Sequence, residues 1–154
     1  MAKLRQRMTK DDNFYMQQAI AEARKALSEG EIPIGAVVVC RGDIIARGHN
    51  LTETLKDVTA HAEMQALTAA ADTIGGKYLQ DCTLYVTVEP CVMCAGAIGW
   101  SQMGRVVFGT ADEKRGYQRF APEALHPKTQ VTAGILEKEC RRLMVDFFKG
   151  RRLN

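Results

Sequence analysis

Two short stretches, thirty residues apart, constrain this chain more than anything else in it: Thr59-Ala60-His61-Ala62-Glu63 and Glu89-Pro90-Cys91-Val92-Met93-Cys94. They offer one imidazole, two thiols and a spare carboxylate. Neutral imidazole and thiolate are zinc ligands, and three protein ligands leave a fourth position open, as a catalytic ion requires. Whatever the chain folds into has to bring His61, Cys91 and Cys94 to one point. Glu63 is the informative extra, because a structural zinc has no use for it, whereas hydrolysis needs a general acid/base beside the metal.

The spacing sets local geometry. Cys91 and Cys94 are three apart and share one face of a helix, and Pro90 suits a helix start, where its missing N–H costs nothing. His61 and Glu63 are two apart and would diverge in mid-helix. The pattern therefore places His61 at the start of its helix, with Thr59 as the expected cap. Two helix N-termini then converge on the ion, and their dipoles favour thiolate. A structural zinc knuckle or a redox Cys-x-x-Cys would be the alternative. Against it, Cys40, Cys82 and Cys140 stand alone in sequence and offer no second pair.

The rest of the chain reads as α/β. Its 154 residues suit one domain, taken here as 1–154, and 46% apolar with 25% charged residues is ordinary globular composition. Asp11 and Asp12 mark a helix start, followed by Met16, Ile20, Ala23 and Leu27 at helical spacing until Gly30. Ile34 to Cys40 reads as a strand, Arg41-Gly42-Asp43 as a tight turn and Ile44 to Gly48 as the hairpin partner. Valines without alternation predict burial on both faces of the sheet, so helices should cover both. Leu51 to Val58 reads as a polar loop. A helix over about 60–73 ends at Gly75-Gly76, and a strand over 83–88 delivers the cysteines. A helix to about Ser101 and a strand over 105–108 complete a right-handed parallel crossover. His49 and His126 read as loop residues. The segment Asp112 to Pro122 reads as a long irregular loop, of the kind that is usually functional or mobile. After a short strand near 129–132, a last helix over about 136–149 is expected to bury Leu136, Cys140, Leu143, Met144 and Phe147. The plan is a three-layer α/β fold.

His-x-Glu with Pro-Cys-x-x-Cys is the signature of zinc-dependent base deaminases. The longer runs His61-Ala62-Glu63-Met64 and Thr83 to Ile98 resemble the bacterial tRNA-specific adenosine deaminases, and the resemblance extends from Ile32 to the final helix. It implies a cytidine-deaminase-like α/β/α fold with a central mixed five-stranded sheet. It implies one Zn2+ per subunit held by His61, Cys91 and Cys94, with Glu63 as the catalytic acid/base. Gly48-His49-Asn50 matches the position where an Asn holds the substrate, and backbone groups of Ala62 and Glu89 would help orient the base. Asp112 and Lys114 match a loop that touches ribose and phosphates. Phe147-Phe148 with the basic residues beyond resembles an ending that packs near an anticodon loop; one of the two phenylalanines reads as core, and Phe148 is the candidate RNA contact. The implied reaction turns adenosine into inosine at the wobble position of a tRNA anticodon stem-loop, by a cytoplasmic homodimer. After Gly116 the match fails, because Tyr117, Arg119 and Phe120 replace small residues and reshape the expected substrate mouth. A deaminase of a free guanine- or cytosine-type base or nucleoside on the same fold is the other reading, and a non-catalytic zinc-stabilised RNA-binding module a third.

Charge and targeting signals fit this picture. The net charge is +3 with a pI near 8.6, compatible with a nucleic-acid partner without requiring one. Basic residues crowd both ends (Lys3, Arg5, Arg7, Lys10; Arg141, Arg142, Lys149, Arg151, Arg152), as either a solvated face or a phosphate-binding one. No apolar h-region follows the first residues and no run is long enough to span a membrane. Five cysteines, an odd number, fit reduced thiols in the cytoplasm.

Overall fold

The paired aspartates start the first helix as the sequence predicts. In the computed structural model, which describes residues 10–152, α1 spans Asp12–Ser28. Asp11 is its N-cap, and its carboxylate accepts the Phe14 N–H at 2.9 Å. Met16, Ala19, Ile20, Ala23 and Ala26 are buried, whereas Leu27 is 42% exposed. The expectation of a buried Leu27 is thus corrected: the buried arc centres on the alanines at 19, 23 and 26, and Leu27 falls at its margin. The basic positions Lys3, Arg5 and Arg7 lie outside the described residues.

The chain then builds its sheet. β1 (Gly35–Cys40) and β2 (Asp43–His49) form an antiparallel hairpin. Its turn residues Arg41 and Gly42 both take left-handed backbone, φ 51° and 84°, the pairing that matches strand twist in a two-residue loop. β3 (Cys82–Val88) lies antiparallel to β1, and β4 (Arg105–Thr110) and β5 (Gln130–Ala133) follow in parallel, giving the mixed order β2-β1-β3-β4-β5.

The valine run explains the layering. Ala36 and Val38 face one way, into a core with Ala62, Ala66 and Ala70 of α2 (Ala62–Ile74) and Ile98 of α3 (Val92–Ser101). Val37 and Val39 face the other, against Tyr15, Met16 and Ile20 of α1 and Cys140 of α5 (Glu137–Arg152). A strand buried on both faces can carry apolar residues without alternation. The result is the expected three-layer α/β/α fold with a mixed five-stranded sheet.

α5 is more exposed than its sequence suggests. Of the five residues expected in its core face, only Cys140 is fully buried; Leu136, Leu143, Met144 and Phe147 are half-buried. The helix docks mainly on β4 and to a smaller extent on β3, and the Cys140 sulfur sits over Gly109. Only Cys140, at the centre of that contact, is fully covered. Gly48 matters on the opposite face. A Cβ there would stand 2.5 Å from the Ala62 carbonyl oxygen and 2.9 Å from the Ala66 nitrogen, so its bare backbone lets the first turn of α2 lie against β2. Among the described residues no helix is long and apolar enough to cross a membrane.

Candidate metal centre

Both ligand stretches sit where a helix begins. His61 is the N-cap residue of α2 and Cys91 that of α3, each with extended backbone and no side-chain cap. Thr59, the expected cap, is instead turned to Asp57, which accepts its hydroxyl at 2.7 Å and its N–H at 2.8 Å. A carboxylate two residues back wins the threonine over the helix end. Pro90 precedes the cap instead of occupying the first helical position.

The three donors converge. His61 Nδ1 lies 3.6 Å from Cys91 Sγ and 3.4 Å from Cys94 Sγ, and all three ligand atoms fall within 4.8 Å of one another. Bonds of about 2.1 Å to nitrogen and about 2.3 Å to sulfur at a tetrahedral angle span roughly 3.6 Å. The donor set therefore fits one zinc ion and leaves a coordination position open. Cys94 is fully buried, and His61 and Cys91 are half-buried.

Protons are held unevenly within the donor set. The Cys94 hydrogen bond draws the Cys91 thiol down to about 4, with the His61 ring assisting and burial opposing. The same contact, with burial, pushes Cys94 up, and the Cys91 bond raises His61. Glu63, in the first turn of α2 and only 4% exposed, is pushed up to about 7, chiefly by burial.

Beside the donors is a cavity of about 110 Å³, lined by Asn50, Thr52, His61, Ala62 and Glu63, with Ile32 and Ile34 as apolar wall. Asn50 is 4% exposed and directly follows β2, its N–H donating to the Ile34 carbonyl at 3.1 Å. A larger groove of about 620 Å³ between α2 and α3, bordered by Tyr78, Trp100 and His126, contains none of these residues. His49 closes β2 instead of forming a loop. Its ring lies 3.0 Å from a Glu29 oxygen and 3.5 Å from a Glu22 oxygen, outside the donor set.

One residue escapes sequence reasoning. Glu31, fully buried, accepts the Glu53 N–H at 3.0 Å, the Thr54 N–H at 2.7 Å and the Thr54 hydroxyl at 2.6 Å. It ties the turns after Asn50 to the segment carrying Ile32 and Ile34. The available signal is a lone charge inside Gly30-Glu31-Ile32-Pro33-Ile34. Burial alone would raise its pKa, but the bonds from Thr54 and Glu53 outweigh it and the net shift is downward from 4.5. A folded-state value below the unfolded one gives stability fully present above pH 4.5 and lost as pH falls through the lower, folded value. Glu31→Gln is expected to destabilise the protein by about 1–3 kcal/mol, because a buried donor is left unpaired. Thermal melting at neutral pH should show this, together with a lower kcat/KM.

The remaining candidates lie further out. Glu89 is 6% exposed, and its carboxylate accepts the Asp112 N–H and the Gln118 N–H, each at 3.1 Å. Asp112 Oδ1 accepts the Lys114 and Arg115 N–H groups at 3.1 and 3.0 Å, and Lys114 is exposed. Phe148, 39% exposed and packed edge-to-face on Phe147, lies on α5, across the sheet from α2 and α3. The segment expected to be irregular contains one helical turn, α4 (Tyr117–Phe120). Tyr117 is 2% exposed and points inward, while Phe120 is 60% exposed with the Arg119 guanidinium 5.2 Å from its ring.

A mixed sheet between helix layers, with His, Cys, Cys and a buried Glu at two helix starts, is the arrangement of a zinc-dependent base deaminase. Comparison agrees: the chain belongs to the cytidine and deoxycytidylate deaminase family, whose zinc-binding region matches residues 9–110. It is 45% identical over 150 residues to the tRNA-specific adenosine deaminase of Bacillus subtilis, covering 94% of this chain and 92% of that one. A Streptococcus pyogenes tRNA-specific adenosine deaminase is 42% identical, over 92% of each chain. A solved structure from work on A-to-I editing by tRNA:A34 deaminases at the wobble position superposes with a TM-score of 0.79 at 40% identity, over 84% of this chain and 97% of that one.

Proposed function

We propose that this protein converts adenosine to inosine at the wobble position of a tRNA anticodon by hydrolytic deamination. The observation that carries the chemistry is the convergence of His61, Cys91 and Cys94 beside a small cavity that His61 and buried Glu63 line. The substrate class is supported by identity to tRNA-specific relatives over nearly the whole chain. His61, Cys91 and Cys94 would hold one zinc per subunit, and that ion supplies the Lewis acidity that activates water for attack at C6 of adenine. Glu63 takes one proton from the attacking water and delivers it to a ring nitrogen, then takes the remaining proton from the hydroxyl added at C6 and passes it to the amine, which departs as ammonia. A pKa near 7 suits a group that must both accept and donate. Asn50 and the backbones of Ala62 and Glu89 orient the base, and a flipped-out nucleotide reaches them from an anticodon loop at little energetic cost.

Asp112 and Lys114 meet the ribose and phosphates in this reading, and Phe148 with the basic end of α5 meets the anticodon loop. The protein works as a cytoplasmic homodimer of single-domain subunits. All five cysteines are free, and exposed Val92, Met93 and Trp100, the last 86% exposed, give α3 an apolar outer face for a second copy. Tyr117, the bulkiest of the unexpected residues, is buried and does not line the cavity.

The test is deamination of an anticodon stem-loop with wobble adenosine by the zinc-loaded protein, beside free guanine, cytosine, adenine and their nucleosides. Inosine in the stem-loop with the free compounds untouched is the expected result. Ammonia from a free base with an inert stem-loop overturns the tRNA reading.

A further inference from the structure

We infer that Glu89 is a positioning residue, its carboxylate fixing the segment Asp112–Phe120 against the loop that carries Cys91; this rests on the RNA-substrate reading above. Glu89 directly follows β3, two residues before Cys91. Its two oxygens take N–H groups from opposite ends of one segment, Asp112 and Gln118, each at 3.1 Å. The backbone alongside is joined as well: the Tyr117 N–H donates to the Pro90 carbonyl at 2.9 Å, and Cys91 pairs with Gly116 in an isolated antiparallel bridge. Gly116 completes the fit, since a Cβ there would overlap the Glu89 carboxyl carbon and both its oxygens. A carboxylate with two acceptors is the side chain that can satisfy both N–H groups at once.

The segment so held presents Lys114 and Arg115 to solvent, with Arg119 stacked on exposed Phe120. Cations and an open aromatic face are the groups that take RNA phosphates and unstacked bases. A substrate touching both the metal site and this segment binds two surfaces whose separation Glu89 fixes. Without that fixing, the segment has to be ordered at each binding event, which weakens binding more than it slows the chemistry.

The experiment compares Glu89→Ala, Glu89→Gln, Gly116→Ala and Glu89→Ala/Gly116→Ala with the wild type. Zinc content, limited trypsin digestion and stem-loop kinetics are measured for each. Glu89→Ala is expected to raise KM for the stem-loop about tenfold with a smaller fall in kcat. Trypsin cleavage after Lys114, Arg115 and Arg119 should be about tenfold faster, with other sites unchanged. Glu89→Gln, keeping one acceptor, falls between. Gly116→Ala reproduces the Glu89→Ala phenotype by displacing the carboxylate, and the double variant is no worse than either single one. Wild-type trypsin patterns and KM in Glu89→Ala overturn the inference, as do additive effects in the double variant. If Glu89→Ala does not fold, Glu89→Gln and Gly116→Ala decide by the same readouts. Proteolysis and zinc content need no substrate, so an inert stem-loop would count against the tRNA reading alone.

Discussion

Glu63→Ala is expected to lower kcat on the stem-loop by about three orders of magnitude while leaving zinc content and stem-loop affinity close to wild type. In the proposed mechanism Glu63 serves the reaction and does not hold the ion. It occupies the first turn of α2, two residues after His61, and lines the cavity instead of joining the three converging donors. Its burial outweighs the opposing pull of the His61 ring and pushes the carboxyl up to about 7. Glu63→Gln, isosteric but unable to accept the proton, should be as inactive as the alanine variant. Metal analysis, stem-loop titration and single-turnover kinetics on the same preparations check all three quantities. A Glu63→Ala enzyme that deaminates at a tenth of the wild-type rate would remove Glu63 from the mechanism.

The second large effect concerns the donors. Chelation of the ion, or Cys94→Ala, is expected to abolish deamination and lower stability by about 4 kcal/mol, the linkage expected of a ligand present at about a thousand times its Kd. For a chain of this size that is a fall of roughly 10 °C in melting temperature. The loss follows from how the helices begin. α2 and α3 carry no side-chain caps, and their cap residues are two of the three donors. Zinc added back should restore both activity and melting temperature to the chelated wild type and neither to Cys94→Ala. A melting temperature indifferent to chelation would mean that the donors are held by the fold alone.

Much of this was legible in the sequence because it depended on spacing. His61, Glu63, Cys91 and Cys94 are close enough in pairs that helix geometry dictates which can share a point, and the valine run could belong only to a strand covered on both faces. The failures came from interactions between segments distant in sequence. Glu31 looks like a surface charge until Thr54 folds over it, and nothing local marks Glu89 as an acceptor for Asp112 and Gln118. Tyr117, bulky where the resembled family has a small residue, reads as reshaping the mouth, but its N–H is drawn to Pro90 and its ring is buried. The stripe of α5 has the right period, yet period alone does not say how much sheet lies beneath a helix. Thr59 has the chemistry of a cap, but its hydroxyl is taken up by Asp57, two residues away.

The bare backbone of Gly48 bears on how such a centre can change. The first turn of α2, seated on that glycine, carries both the imidazole donor and the acid/base: His61 and Glu63 share one rigid mount. A methyl group at 48 would lift the mount as a whole, displacing ligand and proton carrier together. In the proposed mechanism a change at 48 thereby acts on ion affinity and proton transfer at once, whereas the two cysteines, mounted on α3, can alter ion affinity without moving Glu63.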